Sequence, residues 1–309
     1  MSSPPLARPP EAPAATARRR ARAIASITAA AAAFAVAALL VKLVAPAIPT
    51  AEIVLFRSAI ALVALAPLLV REGGFAALAT RQPFWHAVRT LAGFGGMITA
   101  FNGYAHLPMA EVTALGFTMP LFLTMLSIPL LGEKVGIRRW SAVIVGFIGV
   151  VLILRPFASA IPLGPALIVV AGAVCWAVAM IAIRRMGESG ESTVAIVAWF
   201  SIGGTVLAGL LSIPVWVTPT PWQAAALVGV GLASVIAQLL MTDAYRRGEP
   251  VVVAPFEYSG ILWTALIGLV VFDERPSPTM AAGVVVLVGS GLYILHREVI
   301  RRRASPARR

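Results

Sequence analysis

The sequence predicts an all-α polytopic membrane protein whose ten transmembrane helices form two inverted five-helix repeats. Three observations carry that expectation. Of 309 residues, 59% are hydrophobic and only 12% charged, whereas soluble domains run at about 45–50% apolar and about 25% charged. Ten apolar runs divide the chain at lengths near the roughly 20 residues a helix needs to cross a bilayer. The second half also repeats the first at a constant offset. Too little polar surface remains to cover a water-exposed fold of this size, so a soluble enzyme is excluded. A mean hydropathy of +0.90 agrees. Only helices satisfy the backbone in lipid at these lengths, which excludes a barrel.

The runs are 23–41, 52–70, 85–104, 111–131, 140–154, 163–183, 194–215, 222–244, 251–272 and 278–295. The fifth is shortest and needs 135–139 to complete a crossing of about 17 residues. The first follows Arg18-Arg19-Arg20-Ala21-Arg22 and also resembles a signal peptide with a small-residue cleavage site. Its counterpart in the second half favours retention as a span. The domain organisation is thus a basic tail at 1–22, repeats at 23–155 and 163–296, and a basic tail at 297–309.

Charge orients the chain. Lys and Arg number 25 against 13 acids, a net +12, which in a soluble protein would suggest nucleic acid. With the N-terminus inside, 21 basic residues (Arg89 among them) fall on the inner side, and only Lys42, Arg155 and Arg275 fall outside. Arg57 is left within the second run. The positive-inside rule then puts both termini in the cytoplasm of an inner-membrane protein. The basic excess is an edge able to touch anionic lipid, and no nucleic-acid partner is expected. Cys175, the one cysteine, cannot form an internal disulfide or a multi-cysteine metal site and reads as a small packing residue.

An offset of 141 aligns the halves, matching Tyr104 with Tyr245, Asn102 with Asp243, Glu133 with Glu274 and Leu107-Pro108-Met109-Ala110 with Gly248-Glu249-Pro250-Val251. Five spans per half is an odd number, so the second half enters the membrane opposite to the first. Inverted repeats of this kind typify secondary transporters, with the substrate site near the midplane between the halves.

Particular phrases add to this. The second run opens Ala51-Glu52-Ile53-Val54-Leu55-Phe56-Arg57-Ser58. Around the fifth stand Leu131-Gly132-Glu133-Lys134, Arg138-Arg139-Trp140 and Gly146-Phe147-Ile148-Gly149-Val150. The second half carries Ala244-Tyr245-Arg246-Arg247-Gly248-Glu249-Pro250, then Ala254-Pro255-Phe256-Glu257-Tyr258-Ser259, then Phe272-Asp273-Glu274-Arg275-Pro276. Over residues 23–296 the chain resembles the EamA family of the drug/metabolite transporter superfamily, nearest a branch with S-adenosylmethionine and riboflavin carriers and some metallophore exporters. Asp273 departs from the pattern, standing where the first repeat has Gly132. The resemblance implies a ten-helix carrier that alternates access without ATP. It also implies a cavity lined by spans 1–4 and 6–9, with spans 5 and 10 peripheral.

Ionisable groups at membrane depth are costly and default to functional candidates. Arg57 sits about 9 Å into its span, where it could bind an anionic group of a substrate or pair with Glu52 or Glu111. Glu257 lies about 10 Å into span 9, two residues after the helix-bending Pro255. It could bind a cation, exchange protons, or hydrogen-bond a neighbouring Tyr or Ser. Tyr258 adjoins it, and Gln238 is a polar group in mid-span 8 that could line a cavity or bind a neighbouring helix. Asn102 and its repeat mate Asp243 are conceivable gates or helix-end hydrogen-bonders. Trp176, on a span the resemblance turns toward the cavity, could stack on a ring or cation or simply pack. Glu111 suits a helix N-terminus. Glu133 and Glu274 are expected to cap the helices that follow them, and the glycines at 93, 95, 96, 146, 149, 203 and 204 to allow close helix approach.

The sequence contains no HExxH, GxSxG or P-loop pattern and no His/Cys metal cluster, so neither a cofactor nor a metal is expected. The expected function is secondary active transport of a small polar metabolite across the inner membrane. A channel-like pore and an integral membrane enzyme acting on a lipid or small molecule are the alternatives.

Overall fold

The computed structural model describes residues 13–133, 135–155 and 162–304; the outer parts of both tails and Lys134 lie outside the described residues. Each expected apolar run is helical. The helices are α1 (Pro13–Val44), α2 (Thr50–Arg71), α3 (Pro83–His106), α4 (Met109–Gly116), α5 (Met119–Leu131) and α6 (Ile137–Leu154). The second half has α7 (Leu163–Glu188), α8 (Thr193–Ser212), α9 (Pro221–Arg247), α10 (Pro250–Glu257), α11 (Ser259–Phe272) and α12 (Pro278–Ala304). Proline opens α3, α9, α10 and α12, where its missing N–H is no loss and its fixed φ suits the first turn. Among the described residues, nine helices or bent helix pairs are long and apolar enough to cross a membrane. The tenth, α3, has the length, 24 residues, but carries His86, Arg89 and Asn102.

Spans 4 and 9, expected as single helices, are each broken, and at the same repeat position. In span 4 the break is Phe117–Thr118, just before Pro120; in span 9 it is Tyr258, three residues after Pro255. A proline ring clashes with the carbonyl four residues earlier and frees backbone groups that lipid cannot satisfy. Beside each break, at equivalent positions, a hydroxyl bonds back to the carbonyl three residues earlier: Thr118 Oγ1 donates to Leu115 O at 2.6 Å, and Ser259 Oγ donates to Phe256 O at 2.6 Å.

Both broken spans also end alike. Gly132 (φ 68°) and Asp273 (φ 52°) cap α5 and α11 in the left-handed region. The next amide reaches back six residues in each case, Glu133 N to Ser127 O and Glu274 N to Gly268 O, so both ends close through a wide left-handed turn that satisfies a terminal carbonyl. Asp273 therefore differs from Gly132 in side chain but not in backbone conformation.

Helix packing follows the duplication. α1 runs along α9, and the repeat-equivalent pair, α7 and α3, packs the same way; α2 lies on α8, and α6 on α12. Glycines allow the closest approaches: Gly96 lies under the Trp176 indole, Gly95 against Cys175, and Gly149 and Gly283 bring the backbones of α6 and α12 together. The largest core cluster joins α4, α5, α6, α7, α11 and α12 through residues such as Leu115, Leu121, Ile153 and Leu287. Side chains such as Val63 (73% exposed) and Leu262 (72% exposed) point outward, where lipid rather than water is the compatible solvent.

Candidate functional site

Arg57 enters from α2, and among the described residues it makes no hydrogen bond or ion pair. Of the two alternatives for it, pairing with Glu52 or Glu111 does not occur. The Glu52 carboxylate is fully buried and accepts the Val217 amide at 2.7 Å, while Glu111 accepts Arg155 Nη2 at 2.9 Å. A second positive charge, Arg89 of α3, lies within electrostatic range of Arg57.

Arg89 corrects its assignment to a basic inner edge. It is 9% exposed, stacked on the Phe200 ring with its guanidinium carbon 3.9 Å from the centroid, and 5.9 Å from the Trp176 ring. Cation–π attraction of this kind contributes about 0.5–2 kcal/mol, most when desolvated. Its Nε and Nη1 have no hydrogen-bond partner. The side chain lies over Gly93, where a Cβ would collide with Nη1. Trp176 and Phe200 thus border Arg89 at the junction of α2, α3, α7 and α8, where Arg57 and Trp176 are only partly buried. Arg89 and Phe200 are the members the sequence reading missed. A signal was present: Arg89 stands more than a turn inside α3 and one turn before Gly93.

Glu257 is placed elsewhere. It ends α10 and accepts the Tyr245 hydroxyl at 2.5 Å, the expected Tyr partner, and no interaction connects it to Arg57. Tyr258 packs its ring on Phe117, centroids 4.5 Å apart, with its hydroxyl against Gly291 of α12. Gln238 lies on the same α9 stripe as Gly231 and Tyr245, seven residues to either side, yet is exposed. The outward stripe of that helix is instead Leu232, Ile236 and Leu239, so Gln238 stands on its flank, between the outward and the packed faces. Asn102 and Asp243 are not brought together. The Asn102 carbonyl pairs with His106 Nδ1 at 2.9 Å, and Asp243 accepts from Ser26 and Arg247.

The two ends of the bundle are tied differently. At the end away from the termini, Lys42 of α1 donates to Leu107 O at 2.6 Å and pairs with Glu274 at 2.5 Å. Glu274 accepts the Met109 amide at 2.8 Å. It therefore caps α4, from the other repeat, and not α12 as expected. At the terminus end the repeat mate of Met109 is Pro250, which has no N–H to give; Glu133 there takes Arg184 Nη1 at 2.7 Å. Burial follows: Leu115 of α4 is fully buried, whereas its mate Phe256 of α10 is 39% exposed.

Glu191, in the link between α7 and α8, accepts from Thr80 Oγ1 (2.8 Å) and the Arg81 amide (3.0 Å) and faces His86 Nε2 (3.3 Å). Burial alone would push its carboxyl up, but these hydrogen bonds to the charged form outweigh it and hold the group below the usual range.

Comparison with known proteins agrees with this architecture. Residues 21–155 and 163–295 each match the EamA-like transporter family. A riboflavin transporter of Vibrio cholerae is 31% identical over 260 residues, covering 83% of this chain and 86% of that one. A pseudopaline exporter of Pseudomonas aeruginosa is 31% identical over 251 residues, covering 81% and 87%. An S-adenosylmethionine uptake transporter of Rickettsia bellii is 28% identical over 248 residues, covering 80% and 84%. A solved crystal structure at 21% identity superposes with a TM-score of 0.60 over 93% of this chain and 99% of that one, so the fold is shared. With both repeats matched and each relative aligned over most of its length, the chain belongs to the EamA-like transporter family and is a secondary transporter of small metabolites.

Proposed function

We propose that the chain carries a small polar metabolite across the inner membrane by alternating access, with both termini and the basic segments 1–22 and 297–309 in the cytoplasm. The observation that carries this reading is the unequal closure of the two ends. Lys42, Glu274 and the Met109 amide tie α1, α4 and the α11–α12 link together, while Pro250 denies the equivalent capping bond to the terminus end. A carrier resting closed to the outside and loosely packed toward the cytoplasm has this arrangement. Arg57 and Trp176 form the substrate cleft, Gln238 lines the approach from the cytoplasm, and Glu257, bonded to Tyr245, is the group able to exchange a proton during the cycle. Tyr258 and Asn102 act through packing and helix ends. Relatives that carry S-adenosylmethionine, riboflavin or pseudopaline support a small-molecule cargo, and no chemical conversion is required of it.

Reconstitution into liposomes tests this. Saturable uptake with counterflow, using labelled S-adenosylmethionine and riboflavin first, is the expected result. Flux that rises linearly with concentration would favour a pore, and conversion of solute or lipid without flux would favour an enzyme.

A further inference from the structure

We propose that the cleft between α2, α3, α7 and α8 binds a small organic anion, its carboxylate or phosphate group shared between Arg57 and Arg89 and bordered by the Trp176 indole. This deepens the carrier reading above and rests on it for the anion's being transported cargo.

Three observations support the assignment. First, among the described residues neither guanidinium has a counter-charge, and Arg57 lies within electrostatic range of Arg89. The acids on neighbouring elements are engaged elsewhere, Glu52 with the Val217 amide, Glu111 with Arg155, Glu191 with Thr80 and Arg81, and Glu257 with Tyr245. Uncompensated charge at membrane depth is costly, and mutual repulsion in low dielectric adds to the cost; an anion removes both. Second, Arg89 is held in place rather than free to swing toward water. It is nine-tenths buried with its plane on Phe200, and the missing side chain of Gly93 gives it room. Two of its buried nitrogens, Nε and Nη1, remain unpartnered, and an unpaired guanidinium N–H out of water favours a carboxylate or phosphate oxygen as acceptor. Third, Trp176 and Phe200 give the junction an aromatic wall, and among the described residues no acid pairs with either guanidinium, so its field selects against cations of the same size.

The experiment uses the full chain, purified in detergent at constant ionic strength. Thermal unfolding is followed with benzoate, succinate and phenyl phosphate, and with the matched benzamide, succinamide and benzylamine. The expected result is a rise in melting temperature with the anions alone. Apparent affinity for the best anion should fall about tenfold or more in Arg57→Gln and in Arg89→Gln, the loss of a charge-assisted bond, and recover in part in Arg57→Lys and Arg89→Lys. Stabilisation by the neutral or cationic probes equal to that by the anions, measured on the wild-type chain and so independent of variant folding, would overturn the proposal. So would anion stabilisation that survives both glutamine changes. Counterflow in liposomes separates the two readings. Saturable flux of neutral or cationic solutes with no anion flux sinks the anion assignment and leaves a carrier. Anion-specific stabilisation with no saturable flux of any solute sinks the carrier and leaves an anion site.

Discussion

Phe117 and Tyr258 stand at the same position of the two repeats, and their rings pack on each other with centroids 4.5 Å apart and planes inclined at 39°. Each lies at the break in its span, so the weakest points of both broken spans meet where the halves face one another. The contact gives the helix breaks a shared support that neither repeat could supply alone.

That contact is expected to be energetically real. A double-mutant cycle of Phe117→Ala and Tyr258→Ala, read by thermal unfolding, should give a coupling of about 0.5–1.5 kcal/mol, as for other aromatic pairs. Tyr258→Phe should retain most of it. Strictly additive effects would show that the rings merely adjoin.

Gly93→Ala should act on the cleft through Arg89. The new methyl must displace a guanidinium already stacked on Phe200, so overpacking of about 1–3 kcal/mol is expected together with a clear fall in transport rate. Gly164→Ala, with open space around the site, should change stability by less than about 0.5 kcal/mol. Counterflow rates of the two variants side by side are the check.

Glu274→Gln keeps an acceptor for the Met109 amide but removes the charge that holds Lys42. Both side chains are largely shielded, 16% and 17% exposed, so losing the pair weakens the closed end. With Cys175 replaced by Ser and a cysteine put at buried Leu115, labelling by a membrane-impermeant thiol reagent added from the Lys42 side should speed up by about threefold on adding Glu274→Gln, a population shift of under about 1 kcal/mol. Unchanged labelling would mean that the tie does not govern access.

The Glu191 carboxylate makes stability depend on pH. Its pKa is depressed in the folded chain, so the stabilisation is fully present above the unfolded value of about 4.3. It is lost as pH falls below that value through the lower folded one. Glu191→Gln should therefore melt below the wild type at neutral pH, and the gap should narrow under acid conditions. Melting curves from pH 7 downward would show it.

Asp273 holds a left-handed conformation that glycine adopts without steric cost. Asp273→Gly should raise stability by about 1 kcal/mol or less, because the exposed pair with Arg275 that it gives up contributes little.

Much of this architecture was legible in the sequence. The ten runs, the 141-residue duplication (Tyr104 with Tyr245, Glu133 with Glu274) and a special role for Pro255 could be read directly. The cleft was legible only in part. Arg57 and Trp176 stood out, but Arg89 was masked by its position near a basic end, and Phe200 was one apolar residue among many. Glu274 was readable as architecture, yet its target, the Met109 amide 165 residues away, was not. Helices apolar on every face carry no periodic stripe to say which side turns inward.

The sequence by itself determined the number, length and alternating direction of the spans, because bilayer thickness and the need to satisfy the backbone in lipid act along the chain. Tertiary structure alone decided which side chains meet: Arg89 on Phe200, Trp176 over Gly96, Phe117 on Tyr258, Lys42 with Glu274. Those meetings depend on the rotation of each helix about its own axis. In a lipid-facing bundle that rotation is set by close packing at small residues and by the few polar groups that must find partners.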